Sequence, residues 1–236
     1  MSEWWTYRLS DLLMFSPRTY HRLFELMNAE IWPMQVVTIA AGLAVLGLAI
    51  LKSTRRAAHG RVVAAVLAAA WIVVAWAYHF ERYAAINTGA PYYAAGFALE
   101  AVLLAWFVMR RDGLRFDPLS APVRRIGLSL LAAGVVLYPL LAPFTGRPWT
   151  QAEIFGVAPD PTAVATIGAL LLASGHIAWL LALPLLWCAI SALTLWTMEA
   201  PDAAVPAAAF VLGAAMAIRR WGASTAVALP TTGPTG

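Results

Sequence analysis

The sequence predicts an all-α fold: a polytopic membrane bundle of seven transmembrane helices with its N-terminus outside, preceded by amphipathic interfacial helices. Three observations support this prediction. Of the 236 residues, 61% are hydrophobic and only 12% are charged, whereas soluble domains carry about 25% charged residues. The apolar residues gather in runs long enough to cross the hydrocarbon core of a bilayer. Basic residues bracket these runs and divide unevenly between their two ends.

Residues 1–32 are predicted to form a collar of two short amphipathic helices at the membrane surface. Ser16 followed by Pro17 is typical of a helix start, because serine caps the first turn and proline suits the first helical position. The aromatic residues of this segment suit the headgroup zone of a bilayer. A lid over a pore or pocket is the alternative. Charged residues interrupt the segment throughout, so we expect no cleavable signal sequence.

Seven apolar runs follow and define a predicted transmembrane domain of residues 33–221. The predicted spans are residues 33–51, 61–81, 91–109, 124–142, 161–174, 177–197 and 205–218. This threading places most basic residues on one side, which the positive-inside rule makes cytoplasmic: Lys52, Arg55, Arg56, Arg61, Arg110, Arg111, Arg115, Arg124, Arg125, Arg219 and Arg220.

The fifth span, residues 161–174, is shorter than the others. Its 14 residues rise about 21 Å, which falls short of a hydrocarbon core of roughly 30 Å. We expect the helix to extend through Gly175–Ile177 and cross the membrane. The alternative is a half-helix that does not cross on its own. Residues 222–236 are small, polar and rich in glycine and proline, so we expect a flexible cytoplasmic tail.

Composition and motifs exclude several kinds of protein. The pI of about 9.6 does not indicate nucleic-acid binding, because the arginines flank apolar runs and form no interleaved patch. The single cysteine, Cys188, excludes an internal disulfide and any multi-cysteine metal site. No nucleotide-binding, zincin or hydrolase motif is found. No cofactor is predicted, although a bound lipid or quinone is compatible with the Trp-rich helices.

Glu100 is the first candidate for chemistry. It lies near the middle of the third span with no other formal charge at that depth, and an intramembrane ionisable residue is a functional hypothesis by default. The alternative is a protonated glutamic acid that hydrogen-bonds a neighbouring helix. Counting from a turn near Ile86 places His79 about 10 Å from Glu100 along the helix axis. We therefore expect no direct contact, with Trp71 and Trp76 as the nearer donors.

The remaining candidates are predicted at the outer mouth of the bundle: Tyr78, His79, Asn87 and Asp160. His79 is either a satisfied interfacial histidine or a proton acceptor or metal ligand. Asp160 followed by Pro161 predicts a helix start with Asp160 as the N-cap. The functional alternative is an outer vestibule in which His79 and Asp160 are weak candidates for a metal site. No two histidines show metal-ligand spacing.

Four stretches of the chain carry a resemblance to a known family. They are Asn28–Gln35 (N-A-E-I-W-P-M-Q), Tyr78–Asn87 (Y-H, then Y, then I-N), Phe155–Thr162 (F-G-V-A-P-D-P-T) and Pro184–Trp187 (P-L-L-W). In this respect the chain is similar to bacterial membrane proteins of domain-of-unknown-function family 6064. The resemblance implies a multi-pass protein of the bacterial inner membrane. Similar proteins often have cysteine at the position of Asp160, so the resemblance implies no thiol chemistry in this chain.

Three functional hypotheses follow from the sequence. The first is binding or passage of a small solute or ion through the bundle, with Glu100 at the midplane and His79, Asn87 and Asp160 at the outer mouth. The second is a structural or accessory subunit of a larger membrane complex or homo-oligomer, which binds lipid, quinone or partner helices. The third is a metal-dependent membrane enzyme. Membrane lipids are expected partners under all three, and nucleic acid is not.

Overall fold

The computed structural model describes residues 14–50, 57–110, 114–116, 120–175 and 178–227, which form nine α-helices and no β-strand. The all-α prediction is therefore confirmed for these residues. The helices are α1 (Pro17–Glu30), α2 (Met34–Ile50), α3 (Ala57–Val73), α4 (Ala90–Met109), α5 (Ala121–Ala132), α6 (Tyr138–Phe144), α7 (Pro159–Leu172), α8 (Ala182–Thr197) and α9 (Ala204–Val227).

Five helical rods in the described ranges are long and apolar enough to cross a membrane. They are Ala58–Ala85, Ala90–Met109, Ala121–Phe144, Ala178–Thr197 and Pro201–Arg219. A sixth span results if α1 and α2, which meet at a bend of 98°, are counted together. The rods match predicted spans in position, and the two remaining predicted spans correspond to the shorter helices α2 and α7.

Helix α1 begins where the sequence predicts. Ser16 is its N-cap and accepts a hydrogen bond at its hydroxyl oxygen from the backbone N–H of Thr19, at 3.1 Å. Three of its apolar side chains, Tyr20, Phe24 and Met27, are buried against the bundle. The first of the two predicted collar helices lies outside the described residues except for Met14 and Phe15 at its end, which are not helical.

Two π-helical segments interrupt the regular helices. Val74–Phe80 continues α3, and Ala133–Leu137 joins α5 to α6. The second segment directly precedes Tyr138–Pro139, where proline supplies no N–H and regular α-helical bonding is broken. A π-helical turn changes the direction of the side chains that follow it, and such turns are frequent at functional sites.

Helix α7 occupies the centre of the bundle. Every residue from Ala152 to Ala173 is buried, so this helix is covered by its neighbours on all sides. Its close approach to α5 depends on Gly168, where an added Cβ would lie 2.3 Å from the backbone nitrogen of Leu131. Such contacts allow helix backbones to pack directly against each other.

The ends of α7 differ from the prediction. The helix starts at Pro159 with Ala158 as its N-cap, so the expectation that Asp160 is the N-cap is wrong. Pro159 rather than Pro161 takes the first helical position. The helix also ends at Leu172 and does not extend through Gly175. A helix enclosed by other helices need not match the bilayer thickness by itself.

Loop segments pack at both ends of α7, and the one before the helix is buried. Before the helix, Gly156 adopts a left-handed conformation (φ +76°), and its N–H donates to the Thr162 hydroxyl at 2.9 Å. After it, the N–H of Ser174 donates to the carbonyl of Arg115 at 2.6 Å. At the other end of the chain, α9 continues to Val227, so part of the segment expected to be flexible is helical.

Candidate functional site

Asp160 lies at the centre of a buried hydrogen-bond cluster. Its carboxylate accepts a bond from the indole N–H of Trp187 at 2.7 Å and from the Ser191 hydroxyl at 2.5 Å. The Tyr138 hydroxyl lies 3.4 Å from the same carboxylate. Donors to a carboxylate in the first turn of a helix stabilise its charged form, and the helix dipole acts in the same direction. Asp160 therefore ties α7 to α6 and α8.

His79 is enclosed by aromatic rings. Its ring centroid lies 4.5 Å from that of Phe97, 4.8 Å from Trp187 and 5.1 Å from Tyr78. The side chain is fully buried, and neither ring nitrogen has a hydrogen-bond partner among the described residues. The interpretation of His79 as a satisfied interfacial histidine is therefore wrong. It belongs to the π-helical segment after α3, whose altered register places it inside the bundle.

Glu100 is also fully buried on α4, and neither carboxyl oxygen has a partner in the described part of the chain. The neighbouring-helix hydrogen bond of the alternative interpretation is therefore not formed there. The expected donors are directed elsewhere: Trp71 donates to the Thr166 hydroxyl at 2.8 Å, and Trp76 is 59% exposed. Glu100 and His79 form no hydrogen bond with each other.

The predicted outer mouth is not assembled as a single cluster. The Asn87 side chain accepts a bond from the N–H of Gly89 at 2.8 Å and so shapes the turn before α4. Tyr78 is buried and stacks on Phe24 of α1, with ring centroids 5.2 Å apart. No group of three His, Cys, Asp or Glu side chains in the described ranges could hold a metal ion. Trp187 contacts both His79 and Asp160, the two metal candidates.

A second polar cluster surrounds Arg147 in the loop between α6 and α7. Its guanidinium donates to Asp202 at 2.5 Å and to the imidazole Nδ1 of His21 at 2.7 Å, and it lies 3.6 Å from Glu153. We call Arg147, His21, Glu153 and Asp202 the Arg147 cluster. It joins α1, the α6–α7 loop and the turn before α9.

Electrostatics within the Arg147 cluster favour a neutral imidazole. Burial, and next the guanidinium of Arg147, lower the pKa of His21 to about 4. Arginine can only donate, so Nδ1 of His21 must be the acceptor and carry no proton. Burial raises the pKa of Glu153, and the nearby Asp160 adds to this shift, while Arg147 opposes it. The sequence did not reveal this cluster, because its members come from three distant stretches of the chain.

A narrow cleft of about 70 Å³ lies between α4 and α8, close to His79. Phe97 and Trp187, the rings that enclose the histidine, line it, as does Gly96. It opens sideways on the bundle surface, where Tyr92 is 80% exposed and Leu186 is 55% exposed. The cleft is not visible in the sequence, because its walls come from distant segments of the chain.

The four stretches that carry the family resemblance meet in the folded chain. Asn28, in the first stretch, donates to the carbonyl of Ala152, shortly before the third stretch, at 2.9 Å. Trp187, in the fourth, contacts His79 of the second and donates to Asp160 of the third. Three of the four stretches therefore contribute to the contacts around Trp187, and the first stretch contacts the loop before the third.

Comparison with known proteins agrees with this resemblance. The model of a family of unknown function (DUF6064) matches residues 18–225, which include nearly all of α1, all of α2 to α8 and most of α9. Searches of curated proteins and of solved structures returned no match.

Proposed function

The chain belongs to the DUF6064 family, whose function is unknown, and we propose from its buried site that it carries protons through a bacterial inner-membrane bundle. His79 and Glu100 are the two groups that take up and release the proton. This narrows the hypothesis of ion or solute passage to the smallest ion, which needs no wide pore. A proton can pass from one side chain to the next after small rotations of those side chains.

The observation that carries this proposal is the burial of two ionisable side chains without partners. His79 and Glu100 are both 0% exposed, and none of their polar atoms is hydrogen-bonded in the described residues. Each unsatisfied buried polar group costs roughly 1–3 kcal/mol. Apolar side chains of similar size would avoid that cost, so it is best explained by a function. Proton relays in membranes use such residues.

The relative positions of the two groups suit a stepwise transfer. His79 packs on Phe97, with ring centroids 4.5 Å apart, and Glu100 follows Phe97 by three residues, or about 4.5 Å along the helix axis. Phe97 thus contacts the first group and lies next to the second. We propose that rotation of its ring, with a transient water molecule, connects them. Asp160 acts by holding Trp187 against His79.

The proposed threading has seven crossings, with the N-terminus outside. Near the start of α7, Tyr138 contacts Asp160. After the end of α7, the N–H of Ser174 donates to the carbonyl of Arg115, which lies just before α5. The two ends of α7 therefore lie at opposite ends of the α5–α6 rod, which supports a crossing by α7. The excess of basic residues supports a cytoplasmic position for the loop that contains Arg115.

Proton flux into liposomes tests the proposal directly. The protein is reconstituted with a pH-sensitive dye inside, and a potassium gradient with valinomycin sets the potential. We expect acidification faster than in empty liposomes, and we expect Glu100→Gln to reduce it to the empty-liposome rate. His79→Phe should do the same, because it keeps the ring and removes both nitrogens.

Glu199→Gln is the matched control, since Glu199 is exposed in the turn after α8. It should conduct like the native protein. The proposal would be contradicted if liposomes with the native protein acidified no faster than empty ones. An unchanged rate of acidification with Glu100→Gln would also contradict it. Circular dichroism of each variant in detergent checks that the bundle is folded.

A further inference from the structure

The cleft between α4 and α8 has the chemistry of a ligand site, and its walls include Phe97 and Trp187, the rings that enclose His79. We propose that it binds a flat, lipid-soluble ring compound of the quinone class. The ring lies against the aromatic walls, and the alkyl chain remains in the surrounding lipid. Binding does not depend on proton flux, and it can be measured without it.

The walls of the cleft favour a ring over an acyl chain. Five of the nine lining residues are aromatic: Trp71, Tyr92, Tyr93, Phe97 and Trp187. Aromatic rings stack with offset or edge-to-face geometry, which adds attraction beyond the apolar area buried. Trp187 cannot turn freely, because its indole N–H donates a hydrogen bond to the Asp160 carboxylate at 2.7 Å. The wall therefore presents a fixed ring surface to the ligand.

The shape of the cleft sets how much of the ligand it takes. At Gly96 an added Cβ would meet only Leu183, at 4.0 Å, so the space above this residue is open. The volume of about 70 Å³ is smaller than the cavity of about 150 Å³ that encloses a benzene molecule. The site therefore takes the edge of one ring and leaves the substituents outside. Its sideways opening suits a molecule that arrives from the membrane.

His79 supplies the polar contact that an acyl chain could not use. It is fully buried behind Phe97 and Trp187, and both of its nitrogens lack partners within the described residues. A neutral imidazole has one donor and one acceptor. It can therefore donate to a quinone carbonyl or accept from a quinol hydroxyl once Phe97 rotates. An acyl chain in the same cleft would leave both nitrogens unsatisfied.

Quenching of tryptophan fluorescence by a decyl-substituted benzoquinone tests this site. The full chain is placed in lipid nanodiscs, and the saturable part of the quenching is separated from the linear part due to partition into lipid. We expect saturation in the native protein. Gly96→Leu fills the cleft from its open side and should weaken the saturable affinity by about tenfold or more.

Gly47→Leu is the matched control, since an added Cβ at Gly47 has nothing within 4 Å. It should bind like the native protein. His79→Phe keeps the ring wall and removes the nitrogens, so it should weaken quinone binding. Decanol, which has the chain without the ring, should not compete.

An unchanged quinone affinity in Gly96→Leu would overturn the inference. Competition by decanol as strong as that by the quinone would also overturn it, because it would identify a groove for acyl chains. Saturable quinone binding without proton flux in the native protein would contradict only the proposed function. Flux with no saturable binding contradicts only the quinone site.

Discussion

At the scale of single residues, Asp160 and Glu100 show two ways of burying a carboxyl group. Asp160 is surrounded by donors from Trp187 and Ser191, which is the usual condition for a buried carboxylate. Glu100 has no such donors among the described residues. The first carboxyl group therefore stabilises the fold, whereas the second is the one to which we assign a role in proton passage.

Removal of the Asp160 carboxylate should destabilise the bundle strongly. Asp160→Ala leaves the Trp187 N–H and the Ser191 hydroxyl buried without an acceptor. Each such loss costs about 1–3 kcal/mol, so we expect the free energy of unfolding to fall by roughly 2–6 kcal/mol. Denaturation of the detergent-solubilised protein, followed by circular dichroism, measures the change.

Ser191→Ala serves as the comparison, because it removes one donor and leaves the carboxylate its bond to Trp187. Its expected cost is only about 1 kcal/mol. If Asp160→Ala proved no more damaging than Ser191→Ala, the carboxylate would not have the structural role described above.

At the scale of elements, the contact between α5 and α7 places α7 at the centre of the bundle. An added Cβ at Gly168 would also lie 2.7 Å from the carbonyl oxygen of Gly127. At Gly134 an added Cβ would lie 2.6 Å from the backbone nitrogen of Ala165. These clashes involve backbone atoms, which cannot rotate away. The two helices must therefore move apart if a methyl group is introduced.

Gly168→Ala should consequently lower stability despite the better helix propensity of alanine. Overpacking typically costs about 1–3 kcal/mol, which exceeds the roughly 1 kcal/mol that alanine gains over glycine within a helix. Gly47→Ala provides the control, because its Cβ would meet nothing within 4 Å. Thermal unfolding in the same detergent should give a lower Tm for Gly168→Ala and an equal or higher Tm for Gly47→Ala. Equal behaviour of the two variants would contradict the close packing.

The elements were predictable from the sequence where apolar runs end at charges or turns. Such runs located α2 to α9, with α5 and α6 predicted as one span, and Ser16–Pro17 located the start of α1. The start of α7 was misplaced because Pro159 and Pro161 both suit a first helical turn. The burial of His79 was missed because a π-helical segment changes the 3.6-residue register on which helix-face predictions depend.

The candidate site was predictable only in part. Glu100 was identified because a lone carboxyl group within an apolar run is visible in any sequence. The bonds from Trp187 and Ser191 to Asp160 were not, since they join α8 to α7 across a turn. Sequence spacing alone cannot show which residues of two helices face each other.

At the scale of the whole molecule, Asp160, His79 and the Arg147 cluster lie at the end of the bundle where α7 starts. An aromatic path leads from Phe24 of α1 through Tyr78 and His79 to Trp187 of α8. The Arg147 cluster joins α1 to two loops at the same end. The proposed proton path and the proposed ligand cleft share this framework, because Trp187 and Phe97 belong to both.

The ion pair between Arg147 and Asp202, at 2.5 Å, constrains the threading of the chain. It holds the α6–α7 loop and the turn before α9 at the same end, so α7 and α8 together make an even number of crossings. Because the rod Ala178–Thr197 is long and apolar enough to cross a membrane, this pairing supports the proposed crossing by α7.

Cysteine labelling tests this threading in a Cys188→Ala background. We expect a membrane-impermeant maleimide to label Trp149→Cys and Pro201→Cys in intact cells, since both positions are exposed and lie outside in the proposed threading. Arg124→Cys and Arg219→Cys are also at exposed positions, and they should react only after the membrane is opened. Opposite behaviour of Trp149→Cys and Pro201→Cys would mean that α7 does not cross. Labelling of Arg219→Cys from outside would reverse the side assigned to the C-terminal end of α9.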